Sequence, residues 1–85
     1  MTSDQILQWL ESRQTIPQER RYSEHGRTDE TIVKYANGDT YHQIITYMGH
    51  GTLDKLHTEN YINGECVRSV DMFYSDFKWQ EVISA

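Results

Sequence analysis

Two stretches decide how this chain folds: Lys34-Tyr35-Ala36-Asn37-Gly38-Asp39-Thr40-Tyr41 and Asn60-Tyr61-Ile62-Asn63-Gly64-Glu65-Cys66-Val67. Each sets Asn-Gly between runs of β-branched and aromatic residues. Both members of that pair tolerate positive φ, which makes Asn-Gly the strongest short-range signal for a tight β-hairpin. Residues 31–36 and 40–48 therefore predict one antiparallel pair, and residues 53–62 and 66–74 a second. The likeness between Tyr35-Ala36-Asn37-Gly38-Asp39 and Tyr61-Ile62-Asn63-Gly64-Glu65 stops at those five residues, so common turn chemistry accounts for it without an internal repeat.

Register decides which face of the sheet is buried, because a slip of one residue turns every side chain over. In the first hairpin a three-residue loop with Gly38 left-handed pairs Tyr35 with Asp39 and Val33 with Tyr41. It gathers Val33, Tyr35, Tyr41, Ile45 and Tyr47 on one face, which favours it over a two-residue loop pairing Tyr35 with Thr40. The same loop in the second hairpin collects Leu56, Ile62, Cys66, Val70 and Met72 and sets Lys55 opposite Asp71. A two-residue loop there would place Glu59 opposite Arg68.

Upstream, residues 2–14 read as a helix. Thr2 and Gln5 have capping-box spacing, Asp4 sits in the first turn, and Ile6, Leu7 and Leu10 form an apolar stripe with Trp9 at its edge. Pro17 ends it by pushing Ile16 out of the helical region. Residues 18–30 are polar and lack periodicity; they read as a loop, with a short edge strand an option at residues 20–24. Residues 76–84 allow a helix presenting Trp79, Val82 and Ile83, or a strand in which Phe77, Trp79, Glu81 and Ile83 alternate, and their β-branched and aromatic content favours the strand. The expected fold is α+β: one domain over residues 1–85, an N-terminal helix on a four- to five-stranded antiparallel meander, with a possible short C-terminal helix.

Eighty-five residues close one hydrophobic core, and with apolar residues at only 36% that core must draw on the six tyrosines and two tryptophans. The net charge of -5 disfavours nucleic-acid backbones and anionic membranes and favours a partner protein with a basic surface. Residues 35–85 are the acidic part, with three Lys/Arg against seven Asp/Glu. A single cysteine, Cys66, excludes an internal disulfide, and the opening Met1-Thr2-Ser3-Asp4 has no apolar run, so a cytoplasmic location is expected.

His50, Asp54 and His57 have helical ligand spacing, but Gly49 and Gly51 mark a turn, so no metal and no cofactor is expected. Cys66 stands beside Glu65 and reads as a buried structural thiol; Arg68 would share its strand face. No Gly-x-Ser-x-Gly elbow or phosphate-binding glycine loop is present, and no catalytic residue is assigned.

The expected function is therefore a non-catalytic protein-binding module, an inhibitor or regulator. The nearest analogy is to small acidic phage- or plasmid-type inhibitors of bacterial defence, anti-CRISPR proteins among them. Its expected contact residues are Asp39, Tyr41, His50, Asp54, Glu59, Tyr61, Glu65 and Asp71. The alternatives are a small nucleic-acid-binding regulator using Arg20, Arg21 and Arg27, and a small cone-shaped ligand-binding domain with a tyrosine-lined pocket.

Overall fold

A computed structural model of the chain describes residues 1–48 and 55–82. Helix α1 (Ser3–Glu11) precedes six strands: β1 (Gln18–His25), β2 (Thr28–Tyr35), β3 (Thr40–Tyr47), β4 (Lys55–Ile62), β5 (Glu65–Ser75) and β6 (Lys78–Glu81). They form one open antiparallel sheet in chain order. The class is α+β as expected, with six strands rather than four or five. Among the described residues no helix is long and apolar enough to cross a membrane.

The extra strand is β1, which occupies most of the segment expected to be a loop and pairs along its whole length with β2, from Gln18 opposite Tyr35 to His25 opposite Thr28. Its sequence shows no alternation because nearly every residue of this edge strand is exposed, so neither face selects apolar side chains. At the other end, residues 78–81 are a strand and the helical alternative is not adopted; Asp76 and Phe77, both at positive φ, make the turn into it.

The first hairpin has the expected register. The Tyr35 amide donates to Asp39 O at 2.9 Å, Gly38 takes φ +94, and Val33 faces Tyr41. The second departs from expectation. Its turn has two residues, Asn63 and Gly64, both left-handed, with Ile62 opposite Glu65 and Tyr61 opposite Cys66. One step on, the register shifts so that Asn60 faces Arg68 and Val67 is the extra residue of a β-bulge. Lys55 therefore faces Phe73, Asp71 faces His57, and Glu59 faces Ser69. The bulge restores the expected sidedness beyond it: Leu56, Val70 and Met72 share a face, whereas Cys66 and Arg68 do not.

Helix α1 begins as its capping box dictates, with Thr2 Oγ1 accepting from the Gln5 amide and Gln5 Oε1 accepting from the Thr2 amide. It stops at Glu11, where the Ser12 hydroxyl donates to Trp9 O, three residues short of the sequence expectation. Ile6 is its one buried residue. It joins Val33, Tyr35 and Tyr41 in the core, flanked by Trp9, Leu10, Ile16, Ile62 and Val67. Trp9 meets Tyr35 edge to face at 5.8 Å, and the Arg13 guanidinium lies 3.8 Å over the Trp9 ring.

Asp39 ties the end of the helix to both turns. It accepts from Arg13 Nε at 2.7 Å, Asn37 Nδ2 at 3.0 Å and Asn63 Nδ2 at 3.2 Å. The Arg13 hydrogen bond, then those of Asn63 and Asn37, hold its carboxyl below the usual carboxylate range. A depressed carboxyl stabilises the fold above its ordinary titration point, about pH 3.9, and that contribution disappears as pH falls through the depressed value. Asp39→Asn should therefore lower the urea midpoint at pH 7, and the gap from wild type should close below about pH 4. An equal gap at pH 7 and pH 3 would remove the carboxylate from this role.

Candidate binding face

The sheet outgrows its helix. Nine helical residues span about 14 Å, whereas strands of eight residues run about 27 Å and six strands stand about 24 Å across. Alternation and pairing place Gln18, Arg20, Tyr22, Glu24, Asp29, Thr31, Val33, Tyr35 and their neighbours in register on the helix-bearing face. The helix covers the end of that face near the Asn37-Gly38 and Asn63-Gly64 turns, and among the described residues nothing covers the opposite end.

A groove of about 500 Å³, open to solvent, occupies the uncovered end. Ile45, Tyr47, Leu56, Met72 and Trp79 form its apolar floor, with Tyr74 edge-on to Trp79 at 5.5 Å. It runs into a second hollow of about 300 Å³ beneath the helix start, beside Asp4, through the shared Ser3, Gln43 and Arg68. Arg68 is fixed: its side chain is 10% exposed, it donates to Asn60 Oδ1 at 3.4 Å, and it pairs with Glu81.

Beyond Tyr47 the rim turns acidic. The Tyr22 hydroxyl donates to Glu24 at 2.9 Å, and that bond, with desolvation and the nearby Asp29, pushes its pKa up to about 12. Tyr47 is raised by desolvation and by its hydrogen bond to Asp29. Glu24 and Asp29 thus stand at the mouth of an apolar floor, each hydrogen-bonded to a phenol.

Among the described residues the other face of the sheet carries no helix, and polar side chains outnumber Ile32, Ile44 and Phe73 there. His42 lies 3.3 Å from Glu30 and packs against Tyr61, which donates to Glu59 at 3.3 Å. Ser69 Oγ stands 3.1 Å from His57 Nε2, and Asp71 accepts from His57 Nδ1 at 2.7 Å. Those distances match a Ser-His-Asp relay. However, Asp71 is 59% exposed and Glu59 lies 3.6 Å from His57 Nε2, the nitrogen that faces Ser69, so the charges are water-screened and the ring has a competing partner. Among the described residues no group of three or more His, Cys, Asp or Glu side chains could hold a metal ion.

The expected contact residues are divided by this geometry. Asp39 is partly exposed and engaged by Arg13 and the two turns, and Tyr41 is buried beneath the helix with Asn60 donating to its hydroxyl at 2.7 Å. Glu59, Tyr61 and Asp71 come together on the helix-free face, and Glu65 is exposed beside the second turn. His50 and Asp54 lie outside the described residues. Arg20 and Arg21 project from opposite faces of β1, Arg21 paired with Glu19, and Arg27 sits in the turn that follows, so the three do not share one surface. Cys66 is exposed, not buried, because the turn places it opposite Tyr61 on the helix-free face.

Sequence reasoning missed Met72, Trp79 and Tyr74 as surface residues. The alternation of Trp79 was readable, but its exposure follows from a helix too short, among the described residues, to reach it. Comparison with family models, with curated proteins and with solved structures finds no match for this chain.

Proposed function

We propose that the chain is a non-catalytic binding module that takes a basic, amphipathic segment of another protein into the uncovered groove, as an inhibitor or regulator does. The observation that carries this reading is the pairing of an apolar floor, Ile45, Leu56, Met72 and Trp79, with the carboxylates Glu24 and Asp29 at its mouth. Apolar area supplies affinity, and the acidic rim selects a cationic partner and speeds encounter. Trp79 and Tyr74 also offer ring faces to the stems of lysine and arginine side chains. The groove is open along its length, which suits a chain segment better than an enclosed small molecule. In this reading the His57, Ser69 and Asp71 cluster is a cross-strand polar ladder that keeps the second face wet.

Titration with a synthetic helical peptide alternating leucine and lysine faces, followed by tryptophan fluorescence and calorimetry, tests it. The lysine peptide should bind, its glutamate counterpart should not, and Trp79→Ala should weaken binding about tenfold. Asp29→Asn should weaken it less and flatten its salt dependence. Equal binding of the two peptides, or affinity untouched by Trp79→Ala, would overturn the reading.

A further inference from the structure

Both edges of an open sheet offer unpaired backbone groups, and the two edges here are treated differently. The β6 edge is four residues long and begins with Lys78, and alongside it the Met1 amine donates to Val67 O at 2.7 Å. The β1 edge is eight regular residues, Gln18–His25, with no proline, glycine, lysine or bulge. Among the described residues nothing covers it, and Arg20 there makes no ion pair.

The direction of its free groups follows from the hairpin. The Tyr35 amide and carbonyl both bond toward β3, so the odd residues of β2 point to β3 and the even ones to β1. Ala36 N donating to Pro17 O fits the same alternation. Ile32 faces Arg21 and Glu30 faces Ser23, so the odd residues of β1 are bonded to β2. Gln18, Arg20, Tyr22 and Glu24 therefore direct their amides and carbonyls outward.

We infer that β1 pairs antiparallel with β1 of a second copy about a two-fold axis at Tyr22, joining two sheets into one of twelve strands. Only registers that oppose outward residues to outward residues can form the ladder. Centred on Arg20, Arg21 or Glu24, such a register sets a like charge against itself at the axis. Centred on Ser23, it sets Arg21 against His25 and Tyr22 against Glu24. Centred on Tyr22, it pairs Arg20 with Glu24 of the second copy twice, Glu19 with His25 twice, Arg21 with Ser23 twice, and Tyr22 with itself, with no like charges opposed. The strand is thus self-complementary in charge, as an isologous interface requires. The axis runs through the plane of the sheet, so both helices lie on the same side.

Sedimentation equilibrium of the full chain tests this. Wild type should be dimeric, and Arg20→Glu and Glu24→Arg should each weaken dimerisation at least about tenfold by opposing like charges. Combining the two should restore the dimer, because the swap recreates both pairs. Tyr22→Pro should give a folded monomer, since the amide it removes points away from β2. A wild type that stays monomeric up to about 1 mM, a dimer indifferent to Tyr22→Pro, or a double swap no better than the single ones would each overturn the proposal. Peptide binding by an Arg20→Pro variant, which removes an outward amide at a residue outside the groove and its rim, keeps this result separate from that of the groove.

Discussion

Ile6→Ala is expected to lower stability by about 3 kcal/mol and Tm by roughly 12–24 °C. Ile6 is the single fully committed anchor of α1: the helix touches the sheet through it and through the partly buried Trp9 and Leu10. Truncation removes apolar burial and leaves a void against Val33, Tyr35 and Tyr41 that a stiff antiparallel sheet cannot close. Small domains hold only about 5–15 kcal/mol in total, so the helix should also become the first element to detach. Amide exchange across Ser3–Glu11 and the fluorescence of Trp9, now edge-on to Tyr35, report that step. Leu7→Ala is the control, because Leu7 is 53% exposed and should change stability by no more than about 0.5 kcal/mol. Equal losses for the two variants would mean that the helix is not held in this way.

The second large effect is expected at Asn60, a buried amide that donates to the Tyr41 hydroxyl and accepts from the Arg68 guanidinium. Asn60→Ala leaves a buried phenol and a nearly buried cation each short of a partner, which should cost about 3 kcal/mol. Burial already raises the Tyr41 pKa, and the Asn60 hydrogen bond opposes that rise, so removing it should push the phenol higher. Tyr41→Phe provides the check. It should be costly in wild type and nearly neutral once Asn60 is alanine, a coupling of about 1 kcal/mol or more. Simple additivity in urea unfolding would show that the two side chains do not act as one unit.

Much of this arrangement was legible before any coordinates. The capping box at Thr2 and Gln5, the left-handed Gly38 and the clustering of Val33, Tyr35 and Tyr41 each combine local propensity with periodicity, and the two agree. Reading failed where those signals part. Strand β1 has nothing to bury on either side, so its eight residues carry no alternation and look like a loop. In the second hairpin the turn follows Asn-Gly chemistry, while the core demands the opposite phase beyond it; the bulge reconciles them at a position no local pattern marks. The groove was illegible for a different reason. It is a property of area, a short helix on a wide sheet, and is not written in any one motif. Asp39 and Tyr41 were drawn toward the surface by their residue types, and partners distant in sequence, Arg13 and Asn60, claimed both.

The bulge at Val67 also gives this sheet an unequal tolerance to changes in length. Within an ordinary strand, losing one residue inverts everything downstream, exchanging buried and wet side chains to the end of the element. Losing Val67 would instead leave a regular hairpin in which Arg68 still faces Asn60, Val70 still faces Thr58 and Met72 still faces Leu56. The molecule would forfeit one side chain at the border of its core and the acceptor of the Met1 amine, and keep its strand pairing. Genetic drift in chain length can therefore enter this hairpin at one codon and meet resistance at those on either side.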